Sequence, residues 1–73
     1  MLMGMEKRIL EILSEKHLVR KTELIKIIDE NDSSVLGTAN SLASKGLLLV
    51  VHPMGEASFA ITQKGFRFLK GEI

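Results

Sequence analysis

Two histidines and a short run of acids are the side chains of this sequence that could support catalysis or metal binding. His17 and His52 lie far apart, and neither has a carboxylate or a second histidine at the spacing of a metal site. The acids Asp29, Glu30 and Asp32 offer oxygen ligands but lack the alternating spacing of a calcium-binding loop. The pattern therefore favours exposed loop histidines and a solvated acidic turn over a metal site.

Covalent catalysis has no stronger support. No serine is accompanied by a histidine base in any motif, and the chain contains no cysteine, which removes thiolate chemistry, thiolate metal sites and disulfides. The four methionines are typical of a start region and of gap-filling in a core rather than of a soft metal site. We therefore expect no catalytic residues, no metal and no cofactor, and we predict that the protein is not an enzyme.

The bulk properties predict one small domain over residues 1–73, because 73 residues have room for a single modest core. Ten Lys and Arg against nine Asp and Glu give a net charge of +1, which produces little long-range attraction for a polyanion. No secretory signal and no apolar run long enough to span a bilayer are recognisable. These features predict a cytoplasmic protein that does not associate with membranes.

Four helices are predicted, at about residues 4–16, 22–29, 34–45 and 63–70. In the first, Met5, Ile9, Ile12 and Leu13 recur on one helical face. We expect the second to be capped by Thr22, the third by Asp32, Ser33 or Ser34, and the fourth by Thr62; Gly46 should stop the third. The inward positions of the third and fourth helices are predicted to be Val35, Ala39, Leu42, Ala43, Phe66, Leu69 and Ile73.

The remaining chain has strand character. Residues 17–20 predict a short strand, and residues 48–61 predict a hairpin that turns at 53–56. Phe59 and Ile61 should share its inner face with Leu47, Leu49 and Val51, which leaves Leu48 and Val50 outside. Two interpretations of that apolar outer surface remain open. It is covered by the last helix or by residues 1–5, or it is a protein interface formed by Leu48 and Val50.

The order of elements, together with two short motifs, carries a family resemblance. Residues 42–47 read Leu-Ala-Ser-Lys-Gly-Leu, and residues 61–65 read Ile-Thr-Gln-Lys-Gly after the hairpin. The chain resembles the winged helix-turn-helix superfamily, and among its members the MarR-like archaeal and bacterial transcriptional regulators. The resemblance implies an α+β, mainly α fold: a three-helix core, a two-stranded β-hairpin wing and a C-terminal helix.

The same resemblance implies double-stranded DNA as the partner, with the third helix in the major groove and the wing beside it. Asn40 could pair with adenine and Thr38 could touch a thymine methyl or a phosphate, while phosphate contacts would come from Arg20, Lys21 and the amides near Ser33 and Ser34. Carried over by position, the complete set of DNA-contacting residues is Arg20, Lys21, Ser33, Ser34, Gly37, Thr38, Asn40, Ser41, Ser44 and Lys45.

Two features of the sequence depart from the pattern of DNA-binding members. The third helix carries a single basic residue, at its far end, and the wing carries Glu56 where a cation is common. Because phosphate neutralisation supplies most nonspecific affinity, one domain should bind DNA weakly, and a homodimer would double the contacts. The sequence therefore predicts a homodimeric, sequence-specific DNA-binding transcriptional regulator; the alternative is a winged-helix interaction module that binds a protein partner in a larger complex.

Overall fold

The structure, a computed structural model, describes residues 4–52 and 55–71. In chain order the elements are α1 (Gly4–Lys16), β1 (Leu18–Arg20), α2 (Lys21–Ile28), α3 (Asp32–Ser44), β2 (Leu48–Val51), β3 (Ser58–Ile61) and α4 (Gln63–Leu69). Each predicted helix is present and its bounds agree to within one residue, except that α3 begins two residues before the predicted start. The predictions for residues 1–3, 53, 54 and Ile73 fall outside the described residues.

The core lies where α1, α2 and α3 meet the sheet. The 3.6-residue period of α1 brings Ile9 and Leu13 inward, and the same period in α3 aligns Val35, Ala39 and Leu42. All five are fully buried, and Leu24 and Ile28 of α2, Leu10, Val19, Leu47, Leu48 and Phe59 complete the cluster. Removal of these side chains from water is the main force that holds the three helices together.

Two of the four helix starts differ from the prediction. The N-cap of α2 is Arg20, which makes no capping bond through its side chain, so Thr22 lies inside the helix. The N-cap of α3 is Asn31, whose Oδ1 accepts hydrogen bonds from the amides of Ser33 and Ser34 at 2.9 and 3.3 Å. An asparagine amide oxygen caps as well as an aspartate or serine oxygen does, and here it lies one residue earlier than the predicted caps.

The sheet contains three antiparallel strands in the order β1-β3-β2. The predicted hairpin is present as β2 and β3, and the short strand β1 pairs with the other edge of β3, with Val19 opposite Phe59. The wing is therefore attached to the helical core through β1. The predicted winged-helix architecture is confirmed, with the sheet one strand larger than the hairpin alone.

The predicted faces of β2 were wrong. Leu48 is 2% exposed and Val50 packs against the core opposite Phe59, whereas Leu49 is 55% exposed. Leu47 is buried as predicted, but it precedes the strand, so the alternation of faces starts one residue later than expected. The outward row across the sheet is Leu18, Ala60 and Leu49, which are directly opposite one another in the register. We call these three residues the outer-sheet row.

Helix α4 begins as predicted, because the Thr62 Oγ1 accepts a 2.9 Å hydrogen bond from the amide of Gly65. Its inward side chains are Phe68 and Leu69, while Phe66 lies at the surface with the ammonium of Lys70 4.5 Å above its ring. The prediction of Phe66 as a core residue was therefore wrong. The inward side of this seven-residue helix is formed by Gly65, which is buried, together with Phe68 and Leu69.

Candidate nucleic-acid interface

The candidate interface is built on α3, which the buried side chains Val35, Ala39 and Leu42 hold against α1 and the sheet. Successive residues of a helix are about 100° apart, so the opposite side of α3 is fixed by the same packing. It carries five exposed residues, which we call the outward face of α3: Ser33, Gly37, Asn40, Ser41 and Ser44. All five belong to the predicted set, and the fold brings them together.

The outward face of α3 is polar, small and uncharged. Asn40 has its amide in solvent, and among the described residues it has no hydrogen-bond partner there. The hydroxyl of Ser44 donates to the carbonyl of Asn40 at 3.1 Å and thus turns back toward its own helix. The serine hydroxyls of this face can also donate and accept, but the amide of Asn40 carries its donor and its acceptor on separate atoms, which is the geometry that pairs bidentately with adenine.

The amides of Ser33 and Ser34 are less available than the sequence suggested. Both already donate to Oδ1 of Asn31, so a phosphate at this helix start would compete with the cap. The hydroxyls of the two serines are exposed and remain candidates for such a contact. The phosphate contact at the start of α3 stays a prediction, and these exposed hydroxyls are more accessible for it than the two capped amides.

Thr38 and Lys45 lie on the side of α3 that faces α1. The hydroxyl of Thr38 donates to the carbonyl of Ser34 at 2.8 Å and lies 3.3 Å from Sδ of Met5. The ammonium of Lys45 forms an ion pair with Glu6 of α1, with 2.9 Å between Nζ and Oε2. These two members of the predicted set thus contact α1 in the structure, which sequence spacing along α3 alone could not reveal.

The other two basic residues of the predicted DNA-contacting set lie at the junction of β1 and α2. Arg20 ends β1 and is exposed, and Lys21 begins α2 with its amide donating to the carbonyl of Ala57 at 3.0 Å. A shallow depression of about 380 Å³ is lined by Arg20, Thr22, Glu23 and Lys26. Lys26 is not in the predicted set; it lies about one turn after Thr22 on a helix whose inward residues are Leu24 and Ile28, and this spacing was the available signal.

Glu56 of the wing is directed toward the start of α2. The hydroxyl of Thr22 donates a 3.3 Å hydrogen bond to its Oε1. The negative charge of the wing therefore lies at Thr22, the residue that follows Arg20 and Lys21 in the chain. A phosphate at this junction would meet both cations and this carboxylate.

One of the acids and one of the histidines have unusual backbone conformations. Asp29 has a left-handed conformation (φ 54°) and ends α2, and His17 has φ 67° at the junction of α1 with β1. Within residues 4–52 and 55–71, no group of three or more His, Asp or Glu side chains could hold a metal ion. No described helix is both long and apolar enough to cross a membrane.

Comparisons with known proteins identify the fold. No protein-family model and no curated protein matches the sequence. Among solved structures, the DNA-binding protein BpsR of Bordetella bronchiseptica superposes with a TM-score of 0.89 at 19% identity, over 96% of this chain and 52% of its own. The transcriptional regulator BldR of Sulfolobus solfataricus gives 0.88 at 22% identity, over 97% and 52%. A mutant MarR of E. coli gives 0.89 at 14% identity, over 96% and 54%.

The chain has the MarR-type winged-helix fold. It spans about half the length of each of these three solved chains. In the MarR-type fold of this chain, both sequence motifs have a geometric explanation. Gly46 ends α3 with φ 78°, and Gly65 passes so close to the carbonyl of Leu47 that any Cβ there would overlap it.

Proposed function

We propose that this chain is a DNA-binding module of a transcriptional regulator, and that α3 reads base edges in the major groove. The observation that carries the proposal is the outward face of α3, which is uncovered among the described residues and presents the free amide of Asn40. Its neighbours Gly37, Ser41 and Ser44 are small, which would let the helix backbone come close to a groove floor. No catalytic step is part of this proposal.

The proposal is supported by what is known of similar folds. BldR is described as a transcriptional regulator, and the DNA binding of BpsR is described as regulated by 6-hydroxynicotinic acid. Their chains are about twice as long as the part that this chain matches. A duplex-binding role for this chain is the simplest function that uses both the fold and the open polar face.

Affinity would come from few cations. The junction of β1 and α2 offers Arg20, Lys21 and Lys26 as phosphate contacts, close to Glu56. Each phosphate neutralised contributes to affinity through released counterions, so a single copy with three such side chains should bind weakly at physiological salt. We propose that the protein acts as a homodimer in the cytoplasm, because two copies on adjacent half-sites would double the contacts.

The proposal is tested by selecting binding sites from a pool of random-sequence duplexes. The wild-type protein is expected to enrich a motif, and Asn40→Ala is expected to lose discrimination at one A·T position by roughly 10-fold or more, because a bidentate amide contact supplies about 1–3 kcal/mol. Gln63→Ala removes another exposed amide, from the start of α4, and serves as the control. If no motif is enriched at low salt, or if Asn40→Ala keeps the same motif with the same strength, the proposal is wrong.

A second candidate function is a protein-interaction module, and the outer-sheet row favours it. Leu18 and Leu49 are 52% and 55% exposed, and Ala60 lies between them on the central strand. Large apolar side chains exposed on one sheet surface can mark a site of protein contact. This row replaces Leu48 and Val50, which the sequence had suggested and which point inward.

The substitutions Leu18→Lys and Leu49→Lys distinguish the DNA-binding function from the protein-interaction function. Under the DNA-binding proposal both variants should bind the selected duplex as the wild type does, provided that the row is not the dimer interface. If the row is a protein interface, each variant should lower the molecular mass measured by light scattering or abolish a complex. Leu48→Ala is unsuitable for this comparison because it opens a cavity in the core.

A further inference from the structure

An ion pair joins the end of α3 to the first turn of α1. Nζ of Lys45 lies 2.9 Å from Oε2 of Glu6. The two partners differ in environment: the side chain of Glu6 is 10% exposed, whereas that of Lys45 is 53% exposed. The lysine therefore reaches from solvent to a carboxylate that is buried between the helices.

The burial of Glu6 makes this pair asymmetric. A carboxylate that has lost most of its water depends on the groups around it for stabilisation, and the ammonium of Lys45 is a close positive charge. A phosphate in solvent could offer Lys45 another partner, but Glu6 would then lose that ammonium while it stays buried. Separating Lys45 from Glu6 therefore costs more free energy than separating a lysine from an acid when both are exposed.

Lys45 is also the basic side chain on which a phosphate contact from α3 would depend. Between residues 32 and 45 the charged residues are Asp32 in the first turn and Lys45 at the C-cap. With Lys45 paired to Glu6, the outward face of α3 meets a ligand through uncharged groups alone. Hydrogen bonds from such groups are not weakened by salt through counterion release.

We propose that Glu6 is a positioning residue that withholds Lys45 from the phosphates of a bound duplex, so that α3 contributes base recognition without a phosphate contact. The inference rests on the proposed function for its ligand, and it adds a residue of α1 to the determinants of DNA binding. Under this proposal, the salt dependence of DNA binding comes from the basic residues at the β1–α2 junction. Glu6 acts through Lys45 and does not touch the DNA.

The test is the salt dependence of binding to a short random-sequence duplex. Lys45→Met alone should leave the slope of log K against log salt unchanged, because the withheld lysine makes no phosphate contact. Glu6→Gln should release Lys45 and steepen the slope by about 0.9, which is about a 3.5-fold greater loss of affinity between about 50 and about 200 mM salt. The double variant Glu6→Gln with Lys45→Met should return to the wild-type slope.

Glu11→Gln is the matched control. Glu11 is exposed on α1, forms no ion pair among the described residues, and its neutralisation changes the net charge by the same amount. It measures how much any lost acid strengthens polyanion binding. If Glu6→Gln steepens the slope no more than Glu11→Gln does, or if Lys45→Met by itself lowers the slope by about 0.9, Lys45 is not withheld and the inference is wrong.

Failure of the proposed function would be recognised separately. If the wild-type protein binds no duplex even at low salt, the DNA-binding proposal fails, and the salt needed to elute the same variants from immobilised heparin decides the inference. Later elution of Glu6→Gln than of Glu11→Gln supports it, and equal elution overturns it. If circular dichroism shows that Glu6→Gln does not fold, the comparison of the wild type with Lys45→Met decides in either assay.

Discussion

The hydroxyl of Thr62 donates a 2.7 Å hydrogen bond to the carbonyl of Gly46, and so connects the start of α4 to the end of α3. The same oxygen accepts from the amide of Gly65 at 2.9 Å, and the amide of Thr62 donates to the carbonyl of Leu47 at 3.3 Å. The two motifs that carried the family resemblance therefore contact one another. The spacing of these motifs therefore reflects the contact between the end of α3 and the start of α4, and it does not indicate a ligand site.

Removal of this hydroxyl should destabilise the domain. Thr62→Val keeps the shape of the side chain but loses both the cap of α4 and the bond to Gly46, so we expect a loss of about 1–3 kcal/mol in the free energy of unfolding. Thr62→Ser retains the hydroxyl and is the control, with an expected loss under about 1 kcal/mol. Urea unfolding followed by circular dichroism measures both, and equal midpoints for the two variants would contradict the role given to the hydroxyl.

Two glycines should respond in opposite directions to the same added methyl group. A Cβ at Gly65 would overlap the carbonyl of Leu47, and we expect Gly65→Ala to cost about 2–4 kcal/mol because the backbone must move apart. A Cβ at Gly37 meets nothing within 4 Å, and glycine inside a helix costs up to about 1 kcal/mol relative to alanine. Gly37→Ala should therefore raise the unfolding midpoint in urea; a lower midpoint would show that α3 is not a regular helix at this position.

The sequence was sufficient for the parts of the fold that depend on local chemistry. The left-handed stop at Gly46 and the cap at Thr62 follow from intrinsic conformational preferences of single residues. The faces of β2 do not, because a run of apolar residues from 47 to 51 has no polar alternation to indicate which side is inside. Pairing with β3 settles the faces, since Phe59 is opposite Val50.

The candidate site also has features that local sequence predicts and features that depend on tertiary packing. The family resemblance, carried over by position, placed Gly37, Asn40, Ser41 and Ser44 on one face of the third helix, and the structure exposes all four. The pairing of Lys45 with Glu6 joins residues 39 positions apart, and only the packing of α1 on α3 brings them within 2.9 Å. The sequence therefore indicates the polar surface of α3 but not which of the nearby charges are available to a ligand.

The corrected faces of β2 can be tested by comparing two neighbouring leucines. Leu48 is 2% exposed, so Leu48→Ala should cost about 2–5 kcal/mol through lost burial and the cavity it leaves. Leu49 is 55% exposed, and Leu49→Ala should change the free energy of unfolding by no more than about 1 kcal/mol. Urea unfolding of the two variants gives the answer directly. A larger loss for Leu49→Ala than for Leu48→Ala would mean that β2 is turned over, as the sequence alone had suggested.

Arg20 is exposed where β1 meets α2, and it lines the same depression as Lys26. If this junction supplies the phosphate contacts, Arg20→Gln should weaken binding to all duplexes to a similar extent and lower the salt slope by about 0.9. Asn40→Ala, by contrast, should change the preferred sequence and leave the slope unaltered, because its amide carries no charge. The two variants thus separate phosphate contacts from base recognition within one assay.

Arg8→Gln provides the charge-matched control for Arg20→Gln. Arg8 lies on α1 beside Glu11 and Glu15, away from the depression at the β1–α2 junction, and the substitution removes the same charge. Fluorescence anisotropy at several salt concentrations should give Arg8→Gln the wild-type slope. Equal slopes for Arg8→Gln and Arg20→Gln would show that the net charge of the domain, and not a placed guanidinium at the start of α2, sets its affinity for DNA.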